Sequence, residues 1–316
     1  MILPPKATQP TIYFIGVTTT KSSIMRVFPL WAKALGLKDV VIKGIDVEIH
    51  AQPEVYREVV EFIKYDELSQ GALVTTHKID LYNAARDLFE YMDPNARMFG
   101  ELSSISKKDG RLEGYAKDPI SSGLSLDAFI PADYWKDHGG EVLLLGAGGS
   151  AIAISAYLLN KNKGNDIPSR LIVGNRSKPR LVEIERIVRE INADVSIEFH
   201  LTPEQTQNDE LVKKLKPYSL IINATGLGKD RPGSPLTDTC EFPQNSLVWE
   251  INYRGDLLFM CQALKQKESR NLYVEDGWIY FVHGWTQVIA EVFHIDIAGK
   301  TFDECERIAN EIRRNG

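Results

Sequence analysis

Residues 142–177 hold the spacing with the clearest chemical use. A short apolar run, Val142 to Leu145, meets Gly146-Ala147-Gly148-Gly149-Ser150-Ala151, and a helical apolar pattern follows. A second β-rich run, Leu171-Ile172-Val173, ends in Gly174-Asn175-Arg176-Ser177. In a strand, turn and helix unit, Gly146 permits the sharp turn off the strand and Gly148 lets the backbone approach a pyrophosphate. Ala151 takes the third small position, where the helix packs on the sheet. The N-terminus of that helix offers free N–H groups and a positive dipole end to phosphates. Alone, the glycines also fit a tight turn without a ligand; with a strand on either side the stretch reads as a dinucleotide site.

The end of the second strand sets which dinucleotide is expected. An NAD site usually carries Asp or Glu there to accept from the ribose 2′-OH. Here Asn175-Arg176-Ser177, followed by Lys178 and Arg180, would attract a 2′-phosphate. The cofactor expected is therefore NADP(H), the alternative being a solvated basic turn.

The chain of 316 residues is 43% hydrophobic, enough for about two domains that each bury a core. A net charge of −6 with scattered Lys and Arg argues against a nucleic-acid partner. Three cysteines, Cys240, Cys261 and Cys305, lack metal spacing and read as reduced thiols of a cytoplasmic protein. No metal site is expected. Neither a signal peptide nor an apolar run near the roughly 20 residues of a membrane span is evident.

The elements that must position these residues follow from periodicity. Thr11 to Val17 reads as a strand, Ile24 to Leu35 as a helix, Val40 to Ile49 as a strand and Pro53 to Tyr65 as a helix. Gly71 to Lys78 reads as a strand with a polar tip and Asp80 to Tyr91 as a helix. Ser103 to Ile105 and Leu112 to Tyr115 are expected to pair across a turn containing Asp109-Gly110. Asp118-Pro119 starts a helix near Ile120. Beyond the glycine-rich unit come a helix at Pro179 to Asn192, strands near Val195, Ser219 and Leu247, and a short run at Leu272. A helix ends at Gln262 to Lys267, and two more are expected at Trp278 to Phe293 and Phe302 to Arg313.

In this order the landmarks resemble the shikimate dehydrogenases and their quinate-using relatives over nearly the whole chain. Ser22-Ser23-Ile24-Met25, before a helix ending Ala34-Leu35-Gly36-Leu37, is similar to the family's Ser-x-Ser-Pro loop and helix. Val74-Thr75-Thr76-His77-Lys78 resembles its Val-Thr-x-Pro-x-Lys motif, and the segment reaching Asp118 resembles one ending Asn-Thr-Asp. Gly146 to Ala151 with Asn175-Arg176-Ser177 matches the NADP site, and Asn223-Ala224-Thr225-Gly226-Leu227-Gly228 resembles Asn-Ala-Thr-Pro-Leu-Gly.

The resemblance implies an α/β protein: a substrate domain over residues 1–125, a doubly wound Rossmann domain over 126–278, and C-terminal helices at 279–316 that return to the first. It implies an active site in the cleft between the domains and reversible reduction of a 3-dehydroshikimate-type cyclic keto acid by NADP(H). Lys78 would be the proton donor and acceptor, and Asp118 its orienting partner. Burial and pairing act on the lysine in opposite directions, so its protonation is left open. Thr20, Ser22 and Tyr253 would supply hydroxyls to a substrate carboxylate, with Thr75 and Ser103 beside the ring. Asn223, Ala224 and Thr225 would flank the dinucleotide, Gly277 would approach the nicotinamide, and either Gln287 or Gly284 takes the place of the family's glutamine.

Departures concentrate where the substrate would sit. Ser103 and Ala116 stand where the family carries asparagines, which alters how ring hydroxyls are read. Arg26 replaces a histidine and either clamps an anionic substrate or lies exposed on its helix. His77 has no carboxylate or second ligand at a useful spacing and is read as support for Lys78. The alternatives to the shikimate-type reaction are a dehydrogenase of another cyclitol or amino-substituted ring, and a noncatalytic metabolite sensor. The expected partner is a small molecule, with the chain as monomer or homodimer.

Overall fold

The computed structural model describes residues 3–192, 194–229 and 231–315. The chain forms two compact units, Met1–Lys117 with Val282–Gly316, and Asp118–Phe281.

The strands of the first unit are β1 (Thr11–Gly16), β2 (Val41–Asp46), β3 (Ser69–Val74), β4 (Tyr91–Met92), β5 (Ser104–Lys108) and β6 (Arg111–Tyr115). They form one sheet in the order β2-β1-β3-β5-β6-β4. Every residue of β1 is buried, as its unbroken apolar run demands, and it pairs in parallel with β2 and β3. The connecting helices are α1 (Ile24–Ala34), α2 (Pro53–Tyr65), α3 (Lys78–Ala85) and α4 (Pro94–Phe99). Helix α1 buries Ile24, Val27, Phe28 and Trp31, one face at helical spacing. In the hairpin of β5 and β6, Asp109 and Gly110 take φ values of 51° and 76°, the positive pair that a two-residue turn of right-handed twist requires.

The second unit begins with α5 (Asp118–Asp127) and α6 (Tyr134–His138) and then alternates: β7 (Val142–Leu145), α7 (Gly149–Leu158), β8 (Leu171–Asn175), α8 (Lys178–Ile191), β9 (Ile197–Leu201), α9 (Gln205–Lys213), β10 (Leu220–Asn223), β11 (Leu247–Glu250), α10 (Leu258–Arg270), β12 (Tyr273–Glu275). Its six strands are all parallel, in the order β12-β11-β10-β7-β8-β9. This is the doubly wound Rossmann order, which reverses between β7 and β10. Helix α11 (Trp278–Phe293) carries the chain back into the first unit, where α12 (Lys300–Arg314) packs on α1 and the Trp31 indole donates to the Cys305 carbonyl at 2.7 Å.

Three elements differ from expectation. The strand expected through Lys78 stops at Val74, because Thr75 folds back to donate to the Ile15 carbonyl and His77 turns into the core, so Lys78 opens α3. The helix expected through Tyr91 ends at Ala85 and gives way to β4 and α4. Helix α9 is so polar that only Asn208, Leu211 and Val212 are buried, and its start is fixed by a capping box of Glu204 and Gln207. Among the described residues no helix is long and apolar enough to cross a membrane.

Candidate functional site

The glycine turn of the second unit lies at the C-terminal end of β7, beside the point where the strand order reverses, the usual ligand crevice of such a sheet. Gly146 has φ 120°, and a Cβ there would stand 2.6 Å from the Ala224 carbonyl oxygen, so only glycine fits. Gly148 is the N-cap of α7 in extended conformation, with no side-chain capping bond, and a Cβ on it would meet nothing within 4 Å. The half-buried first-turn residues Gly149 and Ser150 thus follow an N-cap that makes no side-chain bond, in a helix N-terminus that suits a pyrophosphate. Ala147 and Ala151 are buried and serve packing.

At the end of β8 the backbone is pinned. Gly174 accepts from Gly146 N at 2.8 Å, the Asn175 carbonyl accepts from Thr202 N at 2.9 Å, and the Asn175 amide donates to the Ser177 carbonyl at 3.2 Å. Arg176 and Arg180 are exposed, Ser177 is the N-cap of α8, and that helix carries no acidic residue in its first turn. The residues present thus fit an anionic group beyond a ribose.

Across the switch point, Asn223 ends β10 fully buried. Its amide nitrogen donates to Glu250 Oε2 at 2.6 Å, and its oxygen accepts from Thr225 N at 3.1 Å and Thr225 Oγ1 at 2.6 Å. Ala224 and Thr225 line the loop that it holds. Gly277 is buried against the next loop: its N–H donates to the Asn252 carbonyl at 3.1 Å, and a Cβ would lie 2.0 Å from the Ile251 carbonyl oxygen. Tyr253 packs its ring on Trp278 and Phe281.

In the first unit, Thr20 and Ser22 follow the C-terminal end of β1, and Thr75 and Lys78 follow that of its neighbour β3. With β2 on the other side of β1, this too is a point where the strand order reverses. Thr75 is anchored by its N–H and hydroxyl, both donating to the Ile15 carbonyl at 3.0 and 3.1 Å. Thr20 is exposed and Ser22 half-buried. Their loop is held by Thr19, whose N–H and hydroxyl donate to Asp46 Oδ1 at 2.8 and 2.6 Å. A Cβ on Gly44 would stand 1.9 Å from the Thr19 hydroxyl oxygen. Gly44→Ala is therefore expected to displace the Thr19 latch, costing about 1–3 kcal/mol of stability as overpacking. Thermal melts and the KM of the substrate read this out; an unchanged KM would separate Asp46 from the loop.

Lys78 is half-buried at the first position of α3, in the first unit, and Asp118 is buried at the start of α5, in the second. His77 is fully buried with Nδ1 3.2 Å from the Tyr56 hydroxyl, and burial holds its pKa below the usual range, so it stays neutral. Ser103 is buried, and its hydroxyl donates to the Tyr115 carbonyl at 3.3 Å and accepts from Lys117 N at 2.7 Å. Ala116 is also buried, and its N–H donates to Asp93 at 3.1 Å. Arg26 is exposed on α1, and Gly284 and Gln287 lie three residues apart on α11, both half-buried. Asp46, Tyr56 and Glu250 escaped the sequence reading; the one usable signal was an acid, Glu250, closing the apolar run Leu247-Val248-Trp249.

The first class these features define is a two-unit α/β protein with a Rossmann dinucleotide-binding sheet. In sequence and in fold the chain is similar to shikimate dehydrogenases. A Streptococcus thermophilus shikimate dehydrogenase (NADP(+)) is 29% identical over 181 residues, 56% of this chain and 58% of that protein. One from Methanosphaera stadtmanae is 26% identical over 227 residues, 71% of this chain and 72% of that protein. The chain spans somewhat more than half of the first curated relatives it matches, 58% and 56% of their lengths. The crystal structure of shikimate dehydrogenase from Aquifex aeolicus superposes with a TM-score of 0.72 over 98% of this chain and 100% of its own, at 20% identity, a likeness of fold. No family model matches the sequence.

Proposed function

We propose that the protein is an NADP(H)-dependent oxidoreductase that reversibly reduces a 3-dehydroshikimate-type cyclic keto acid to its alcohol. The observation that carries the reading is the pairing of an uncapped α7 N-terminus behind Gly146 and Gly148 with the basic end of β8 at Arg176, in a chain whose relatives are NADP-dependent shikimate dehydrogenases. When bound, the nicotinamide supplies or accepts the hydride. The protein's own residues bind, orient and move one proton. Gly149 and Ser150 hold the pyrophosphate through their N–H groups, with Ala151 packing the helix on the sheet, and Arg176, Ser177 and Arg180 hold the 2′-phosphate. Lys78 gives a proton to the carbonyl oxygen during reduction and takes it from the alcohol during oxidation. Thr20 and Ser22 donate to the substrate carboxylate. The first unit is then the substrate-binding one, and the free thiols support a reducing, cytoplasmic setting.

The commitment of Ser103 to backbone partners and the burial of Ala116 favour a second reading of the substrate alone, another cyclic polyol acid whose hydroxyls are read without amides. NADPH oxidation against a panel of cyclic keto acids tests both, with Lys78→Ala as control. Binding of NADPH with turnover of none of them would point to a sensor. Arg26→Ala is expected to raise KM and leave kcat alone if the guanidinium holds the substrate's carboxylate; unchanged kinetics would remove it from the site.

A further inference from the structure

We infer that Glu250 is the positioning residue of the dinucleotide site, holding in one arrangement the loops that meet the nicotinamide half of the cofactor. The inference rests on the NADP(H) reading above. Glu250 ends β11, fully buried, and its carboxylate accepts three hydrogen bonds. Oε2 accepts from the Asn223 amide at 2.6 Å, and Oε1 accepts from Asn252 N at 2.9 Å and the Asn252 amide at 2.6 Å.

Through these partners the carboxylate reaches four segments. Asn223 orders Thr225 by two hydrogen bonds, and Asn252 donates to the Thr225 carbonyl at 3.1 Å, so the loop 223–228 is tied to the loop after β11. Ala224 in the first loop is the residue against which Gly146 packs, and Ile251 and Asn252 in the second are those against which Gly277 packs. The glycine turn, the loop after β10, the loop after β11 and the start of α11 therefore share one buried acid.

The polarity is specific to a carboxylate. An ionised Glu250 accepts from all three donors, whereas a protonated one must turn its O–H toward an N–H and break a hydrogen bond. Burial and the nearby negative charge of Asp276 raise its pKa, and the Asn223 and Asn252 donors oppose them; burial prevails and pushes it up to about 7. Protonation is then expected to loosen the loops as pH falls through neutrality. Stability runs the other way. Between the ordinary carboxylate range and about pH 7 the folded chain keeps a proton that the unfolded chain has lost, so stability declines as pH rises across that window.

The test measures NADPH dissociation constants, with KM and kcat, from about pH 5.5 to about pH 9. The wild type is expected to bind NADPH more weakly as pH drops through about 7, a profile that needs no variant. Glu250→Gln keeps the size and two of the acceptor contacts but sets its NH2 against the Asn223 NH2. It is expected to weaken NADPH on the order of tenfold above neutrality, with kcat at saturation little changed and the pH dependence flattened. Adding Asn223→Asp restores a donor facing an acceptor and is expected to recover most of the affinity. A flat wild-type profile, wild-type affinity in Glu250→Gln, or no recovery in the double variant would each overturn the inference. A wild-type protein that binds no NADPH would instead overturn the cofactor reading on which it rests.

Discussion

Replacing Lys78 by alanine is expected to lower kcat by about 10²–10⁴-fold, the range of a lost general acid and base, while NADPH binding stays at the wild-type level. The expectation follows from placement. Lys78 opens α3 just beyond the C-terminal end of β3, beside Thr75 and the loop of Thr20 and Ser22, where the strand order of the first sheet reverses. Its sequence neighbour His77 cannot take over, because it is fully buried, faces Tyr56 and is held neutral by desolvation. Lys78→Arg is not a rescue, since a guanidinium does not release a proton near neutrality. The role that the family resemblance gives Asp118 supplies a second check. If the carboxylate acts only through the ammonium, Lys78→Ala and Lys78→Ala with Asp118→Asn should be equally slow. Initial rates of NADPH oxidation at saturating keto acid settle both, and equal rates in wild type and Lys78→Ala would remove the lysine from the chemistry.

What could be read from the sequence was local. Gly146, Gly148 and Ala151 sit in a strand, turn and helix whose periods change from an apolar run to a helical face within a few residues, so the strand β7 and the start of α7 were legible. Lys78 was legible as a chemical group but not as the start of a helix, because the turn before it is made by the Ile15 carbonyl and by the burial of His77, both set by distant parts of the chain. The partners of Ser103 were illegible for the same reason: nothing near it in sequence announces that Tyr115 and Lys117 use its hydroxyl. Glu250 shows the limit most clearly. Its three donors come from Asn223 and Asn252, and the first of these lies on another strand 27 residues away. A buried acid has no periodicity; only the tertiary fold reveals that it is satisfied.

Arg176 tests the other half of the site, and its replacement by aspartate is expected to reverse the cofactor preference. The backbone at this position is not free to adapt: Asn175 is tied to Thr202, to Ser177 and, through Gly174, to Gly146. The side chain, by contrast, is exposed, so the substitution changes charge without disturbing packing. A carboxylate there would accept from a ribose 2′-OH and repel a 2′-phosphate. The kcat/KM for NADPH is therefore expected to fall on the order of 10²-fold, the size of losing hydrogen bonds to a charged group, while that for NADH holds or rises. Because both the lost attraction and the new repulsion are between exposed charges, the wild-type preference for NADPH and the variant's discrimination against it should each weaken with added salt. If Arg180 carries the phosphate instead, Arg176→Asp would leave the ratio of NADPH to NADH nearly unchanged and Arg180→Ala would lower it. That outcome would move the 2′-phosphate one turn along α8 and leave the pyrophosphate at Gly148 where it is.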